Sequence, residues 1–257
     1  MSLPIILAAK ILKLSIYLIE PNQVLGRANK FFLSFCKKIF CYSGEIKKFP
    51  QKFKYKIIMI NPLVKEEMYK FQSLTMTKDK FNLLIVGGSQ GARIFDEKLK
   101  NSFVNISKRN SIRIIQQTSE KKISYLKDFY NKNSIENLIF SYEKNFSKII
   151  QKADLCITRA GASTLAELSV LNTPFIAVPL PTSKDNHQYE NANFYKKKGC
   201  CWLIDQNNFE ETIEEVLKKI FNDKDSYLKK KKNLRNLNYQ NTWVDTNQKL
   251  LNNINEN

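Results

Sequence analysis

The chain of 257 residues is 43% hydrophobic and 12% aromatic, enough to bury the core of one large domain or two smaller ones and unlike a disordered chain. Its formal charge of +18 favours anionic partners such as nucleic acid, nucleotides or an acidic lipid surface, but Lys, Asn and Ile recur almost everywhere, as a compositional bias would also produce, so charge alone selects no partner. Cys36, Cys41, Cys156, Cys200 and Cys201 show neither metal-ligand spacing nor a compact disulfide framework, which fits a reducing compartment, and no uninterrupted apolar run reaches the ~18–20 residues of a membrane span.

In chain order, LPIILAAKILK (3–13) has helical spacing, with lysines inside its apolar part that argue against a secretory signal. It leads into the short apolar strand LSIYLI (14–19) and the turn EPNQVLG (20–26), which carries Pro21 and Gly26. Between residues 27 and 41, Phe31, Phe32, Phe35, Ile39 and Phe40 alternate with lysines as on a basic amphipathic helix. YKIIMINP (55–62) reads as a strand closed by Asn61-Pro62, and LLIVGG (83–88) as a second, followed by a helix from Ala92 to Phe103. Further strands are expected at 112–118, 137–140, 154–158, 174–180 and 202–204, with helices at 145–152, 163–172, 187–197 and 209–222 and a basic, Asn-rich tail beyond Lys229. Strand and helix alternating at this spacing predict parallel βαβ units and a doubly wound α/β sheet.

In such a sheet, ligands bind at the carboxyl ends of the strands. There, a strand running into Gly87-Gly88-Ser89-Gln90-Gly91 and then a helix would offer unpaired backbone N–H groups and a partial positive dipole to an anion. The stretch is neither a G-x-x-x-x-G-K-[ST] loop nor a G-x-G-x-x-G fingerprint, and taken alone its glycines also suit a tight strand-to-helix turn. ADLCITRAGASTLAEL (153–168) repeats the arrangement, with a small Ala160-Gly161-Ala162 turn, Ser163 or Thr164 as N-cap, and Glu167 early on the helix. PLPTSKDNHQYENAN (179–193) adds a Pro-bounded loop with Asp185, Asn186, His187 and Gln188. Three loops at one sheet edge thus combine an anion cradle, a carboxylate able to accept from two vicinal hydroxyls, and amide or imidazole donors, which describes a nucleotide-sugar site. Individually, Glu167 also suits a capping-box partner, and His187, the only histidine, a plain helix-start residue.

The run GGSQGAR, the segment AD-x₃-TRAGASTLAEL and the segment P-x₄-KDNHQYENA resemble the C-terminal half of the MurG family of peptidoglycan glycosyltransferases. IEPNQVLGRANK resembles that family's H-E-Q-N-x-x-x-G-x-x-N-K segment and INPLV its G-N-P-V-R, so the likeness runs from near residue 1 to about residue 222. The resemblance implies a GT-B-type α/β fold, with one complete Rossmann-like C-terminal domain and a truncated N-terminal one. It also implies inverting transfer of N-acetylglucosamine from UDP-GlcNAc to undecaprenyl-linked muramyl-pentapeptide, lipid I, giving lipid II, with no bound metal or other cofactor. Residue by residue, Asn22 matches the asparagine of the E-Q-N turn at the donor site, and Ser89 and Gln90 the loop under the donor phosphates. Ala162, Ser163, Thr164 and Leu165 match the segment lining the uridine and diphosphate, Glu167 the glutamate on the ribose hydroxyls, and His187 and Gln188 a polar pair on the transferred sugar.

The departures lie in the first part of the chain. The family's G-G-T-G-G-H loop, which supplies an acceptor-side anion site and a proposed base, has no counterpart, so the catalytic base is expected in a segment this sequence does not carry. The arginine of the family's N-P-V-R is replaced by Val64 in Asn61-Pro62-Leu63-Val64; Lys65, one position further on, offers the charge from a shifted position as a point charge without the planar fork, and Leu63-Val64 equally suit core or linker packing. The expected organisation is a remnant of the acceptor- and membrane-facing domain at 1–62, a UDP-GlcNAc-binding domain at 63–230, and a helical tail at 231–257 free to pack back on the N-terminal part. In the family an apolar patch with basic neighbours meets the inner membrane face. Phe31, Phe32, Phe35 and Phe40 with Lys30, Lys37 and Lys38 suit that anionic surface, and equally suit a domain core. A UDP-sugar-binding chain without catalysis is the alternative function; no stacking or groove-reading motif supports a nucleic-acid partner.

Overall fold

The computed structural model describes residues 3–69, 79–239 and 243–255, and for residues 88–92 the backbone alone. The first lobe contains α1 (Leu3–Ile11), β1 (Tyr17–Glu20), α2 (Arg27–Phe32), β2 (Lys38–Cys41) and β3 (Ile57–Met59). Its strands form a parallel sheet in the order β1-β2-β3, with Ile19 opposite Phe40 and Phe40 opposite Ile58.

The helix expected over 27–41 is half right. It stops at Phe32, the chain turns, and residues 38–41 become the central strand, because Ile39, Phe40 and Cys41 are buried in succession and pairing on two sides outweighs a helical pattern of lysines. Lys56, itself buried, donates from Nζ to the carbonyls of Leu33 and Cys36 at 2.7 and 2.6 Å, satisfying acceptors left by the end of α2. Phe32 and Phe40 are core residues, and Phe35 is half-buried beneath Lys10, whose Nζ lies 4.3 Å from the ring centre. Of the four phenylalanines only Phe31 is exposed. The apolar surface of this lobe lies instead on α1 and the turn after it, where Ile5 and Ile11 are 71% and 80% exposed beside Leu3, Leu7, Leu12 and Leu14.

After α3 (Glu66–Tyr69) the second lobe contains β4 (Phe81–Val86), α4 (Gly88–Lys98), α5 (Lys100–Ser107), β5 (Ile112–Gln117), α6 (Glu120–Lys132), β6 (Glu136–Phe140) and α7 (Phe146–Lys152). It continues through β7 (Leu155–Thr158), α8 (Ala162–Val170), β8 (Phe175–Ala177), α9 (His187–Lys197), β9 (Cys201–Leu203), α10 (Phe209–Asn222), α11 (Lys224–Asn236) and α12 (Trp243–Asn255). All six strands are parallel in the order β6-β5-β4-β7-β8-β9, the doubly wound arrangement in which strand order reverses between β4 and β7. Continuous apolar strands follow from burial on both faces. Leu83 and Ile85 enter one core with Phe95, Phe103 and Ile213, while Leu84 and Val86 enter the other with Leu165, Leu168 and Phe175.

Helix α6, absent from the sequence reading, turns Ile123, Leu126, Phe129 and Tyr130 toward the core, and Leu126 and Tyr130, four apart, are the residues it buries completely. The helix expected from Ala92 begins at Gly88 and breaks at Leu99 into α4 and α5. Asp96 holds α4 to the sheet, accepting from Gln116 Nε2 at 2.9 Å and Thr118 Oγ1 at 2.8 Å. Burial raises its carboxyl above the usual range despite these bonds and the nearby Lys122. At the far end of the chain Tyr17 Oη on β1 donates to the carbonyl of Ile254 on α12 at 3.3 Å.

Candidate functional site

Where the strand order reverses, β4 and β7 each run directly into a helix, and the crevice beyond their carboxyl ends is the place where open α/β sheets admit ligands. Neither helix is capped by the side chain of its N-cap residue: that position is Gly87 for α4 and Gly161 for α8. On α8 the first intrahelical bond is Leu165 N–H to the Gly161 carbonyl at 3.0 Å, which leaves the amides of Ala162, Ser163 and Thr164 without partners inside the helix. They carry the positive end of the helix dipole toward the crevice.

Gly161 and Gly87 are not explained by turn geometry. Gly161 has φ −67° and ψ 136°, open to any residue, and a Cβ built there would meet nothing within 4 Å. Gly87 has φ −92° and ψ −11°, again an ordinary conformation. At Gly161 the missing side chain therefore leaves free volume at a helix entrance instead of relieving strain. Ser89 and Gln90 lie in the first turn of α4 at the end of β4, and their side chains fall outside the described residues.

Two local expectations are corrected on α8. Ser163 and Thr164 are not N-caps, because Ala162 is already helical and Gly161 takes that position. Glu167 is not a capping-box partner, since the third helical position is Thr164. Ser163 is exposed, and Glu167, four residues on, shares its face of the helix. Burial lifts the Glu167 carboxyl above its ordinary range, with the Lys65 ammonium pulling the other way. Lys65 is thus within electrostatic reach of Glu167, on a segment tied down by Leu63 N–H to Tyr42 Oη at 3.0 Å and by Tyr69 Oη donating to the Pro62 carbonyl. Leu165 is fully buried in the core, so it can face a ligand only through its backbone.

The third loop holds two consecutive left-handed residues, Asp185 (φ 54°) and Asn186 (φ 57°), before α9 starts at His187. His187 Nδ1 lies 2.7 Å from the Lys184 carbonyl. A carbonyl only accepts, so Nδ1 carries the proton and Nε2 of the neutral ring is left as acceptor. Gln188 Oε1 accepts from Ala160 N–H at 3.3 Å and Leu180 N–H at 3.0 Å, joining the exits of β7 and β8 and leaving its NH₂ as the group to offer a ligand. Asp185 faces the first lobe, paired with Lys48 at 2.8 Å and Arg27 at 3.1 Å, which hold its carboxyl below the usual range.

Asn22 comes from the first lobe. Glu20, 2% exposed, accepts from Asn22 N–H at 3.1 Å, Asn22 Nδ2 at 3.0 Å, Gly26 N–H at 2.7 Å and Asn29 Nδ2 at 3.0 Å, so one carboxylate shapes the whole turn. Asn22 Oδ1 accepts from Asn191 Nδ2 at 3.0 Å, so both ends of its side-chain amide are engaged within the protein. Sequence reasoning passed over Glu20, Asn191 and Arg159, although all three sit inside the quoted motifs. Arg159 is buried under the crevice, donating to the carbonyls of Val178 and Pro179 and to Gln206 Oε1, its guanidinium 5.3 Å from the centre of the Phe95 ring. Among the described residues no carboxylate pairs with it, its Nε has no partner, and burial lowers its pKa. Among the described residues there is also no His, Cys, Asp and Glu cluster fit to hold a metal ion.

A doubly wound sheet with uncapped helix N-termini at its switch point, linked to a second parallel sheet, defines the class: a Rossmann-like glycosyltransferase fold of the GT-B type. Residues 82–244 match the family model described as the glycosyltransferase family 28 C-terminal domain. The UDP-N-acetylglucosamine–N-acetylmuramyl-(pentapeptide) pyrophosphoryl-undecaprenol N-acetylglucosamine transferase of Pelagibacter ubique is 50% identical over 258 residues, covering 100% of this chain and 72% of its own length. The like-named protein of Rickettsia felis is 35% identical over 230 residues, covering 84% of this chain and 64% of its own. The crystal structure of Acinetobacter baumannii MurG superposes with a TM-score of 0.77 at 22% identity, over 98% of this chain and 70% of that one. The chain belongs to glycosyltransferase family 28, as a member of its MurG group.

Proposed function

We propose that this chain binds UDP-N-acetylglucosamine at the β4–β7 switch point and supplies the donor side of N-acetylglucosamine transfer to lipid I, the undecaprenyl-linked muramyl-pentapeptide, in peptidoglycan synthesis. One observation carries the reading: the amides of Ala162, Ser163 and Thr164, left without intrahelical partners, open beside the empty volume at Gly161, with Glu167 one turn further along the same helix. Those amides and the first turn of α4, with Ser89 and Gln90, receive the diphosphate; Glu167 accepts from the ribose hydroxyls; His187 and Gln188 meet the sugar. Asn22 acts on the donor from the facing lobe through the turn that Glu20 builds.

The chemistry follows from that placement. The acceptor hydroxyl attacks the anomeric carbon from the face opposite the diphosphate, its bond to the sugar forms as the bond from carbon to diphosphate oxygen breaks, and configuration inverts. The leaving UDP gains negative charge, which two helix N-termini and the buried Arg159 guanidinium stabilise more in the transition state than before it. The hydroxyl proton goes to a base that we assign to the part of the longer relatives outside the match.

The exposed apolar residues of α1, with Phe31 and the basic Lys10, Lys13 and Lys30, form the surface we assign to peripheral contact with the cytoplasmic face of the inner membrane. Among the described residues no helix is long and apolar enough to cross a membrane. Calorimetric titration with UDP-GlcNAc, followed by transfer of labelled sugar to lipid I, tests the function. Saturable binding without transfer supports the full reading, transfer by this chain alone overturns the assignment of the base to the part outside the match, and no binding by the folded chain overturns the donor site.

A further inference from the structure

Asn191 lies on α9, outside the residues assigned to the donor, and is 2% exposed. Its side chain is fully used. Oδ1 accepts from Gln23 N–H at 2.9 Å, and Nδ2 donates to Asn22 Oδ1 at 3.0 Å and to the Ala160 carbonyl at 3.1 Å. The direction of every bond is forced. Gln23 N–H can only donate and the Ala160 carbonyl can only accept, which fixes the amide of Asn191; the Glu20 carboxylate, which accepts from Asn22 Nδ2, fixes that of Asn22. An unbroken chain therefore runs from Glu20 through Asn22 and Asn191 to Ala160, from the first lobe to the turn that opens α8. One helical turn earlier Gln188 holds the N–H of the same Ala160, so α9 grips both polar groups of that residue. The ion pairs across this joint, Lys47–Glu190, Lys48–Asp185 and Arg27–Asp185, are partly exposed and of the kind worth little.

We infer that Asn191 is a positioning residue that sets the register of the two lobes, bringing the Asn22 turn and the α8 entrance to one donor molecule. The inference rests on the proposed donor site for its ligand, and on geometry alone for the register. Asn191→Ala removes the link. Asn191→Asp keeps the acceptor for Gln23, but when ionised it turns an oxygen toward the oxygens of Asn22 and Ala160, and when protonated it regains one donor. The charged groups nearest the site are Glu20 behind Asn22, Glu190 with Lys47 beside it on α9, and Arg159 next to Ala160; wild-type protein over the same pH range is the control for them.

The test reads two quantities on the whole chain, UDP-GlcNAc affinity and the distance between spin labels on exposed sites in the two lobes, introduced as Lys37→Cys and Lys219→Cys. Asn191→Ala should broaden the distance distribution and weaken binding at least ~10-fold, the scale of one buried hydrogen-bonding group left unmatched. Asn191→Asp should show both defects at pH 8 and recover toward wild type at pH 5. Unchanged distance and affinity in both variants, with only a lower melting temperature, would overturn the inference. Should wild type fail to bind the sugar nucleotide while Asn191→Ala still broadens the distance, the donor reading falls and the positioning role stands.

Discussion

The two lobes use the same βαβ construction to different depths. The second lobe covers both faces of six strands, and residues such as Leu83, Leu84, Ile114, Ile157 and Phe175 lose all contact with solvent. The first has three short strands and a small cluster around Leu33, Ile39 and Cys41, and leaves the apolar residues of α1 largely in water. A sheet buried on both faces can spend its helix N-termini on a ligand, because stability is supplied elsewhere. The lobe with the thin core contributes an edge to the crevice, held by Glu20 and the bonds of Asn191.

Truncating Phe175 should break this contrast most sharply. Phe175→Ala removes a buried ring that stacks edge-on to Tyr195 and should lower unfolding free energy by ~3–5 kcal/mol, against a change within ~0.5 kcal/mol for Ile5→Ala on α1, both read by urea denaturation. Glu167→Ala comes next, with a loss of UDP-GlcNAc affinity of ~1.5–3 kcal/mol in calorimetry, the range for hydrogen bonds to a charged group. Gly161→Ala separates fold from function. The position has room and an ordinary backbone, so stability should fall by no more than ~1 kcal/mol for a poorer N-cap, while donor binding weakens because the methyl occupies the ligand's volume. The smallest effect concerns pH. Burial raises the folded carboxyl of Glu167, so its contribution to stability is present below the unfolded value of ~4.3 and is lost as pH rises through the folded value. Glu167→Gln should therefore flatten the decline in ligand-free melting temperature over that window.

Much of this was legible in the sequence where local and global preferences agree. Runs such as LLIV at 83–86 and LCIT at 155–158 are strands by composition and by burial, and the three loops follow from their ends. The misreadings arose where tertiary pairing overrode spacing. Residues 38–41 look helical beside their lysines yet form the middle of a sheet, whereas α6 was passed over although Ile123, Leu126, Phe129 and Tyr130 mark one helical face. Within the candidate site, the residues we propose to meet the donor stand in motifs readable from the sequence, whereas Glu20, Asn191 and Arg159 were passed over. Their importance lies in hydrogen bonds to groups distant in the chain, such as Gln23 to Asn191, which no local pattern encodes. Ser163 was misassigned as a cap because serine commonly serves there; the preceding glycine left it free to face outward.

The measurement closest to the central claim is an amide-resolved NMR titration of the chain with UDP-GlcNAc. Donor binding at the switch point predicts saturable shifts concentrated at Ala162, Ser163, Thr164 and the first turn of α4, with smaller ones at Gln188 and Asn22. It is contradicted by a titration without shifts in the folded chain, or by shifts confined to the cavity of about 690 Å³ beside Lys47, Lys54 and Lys197.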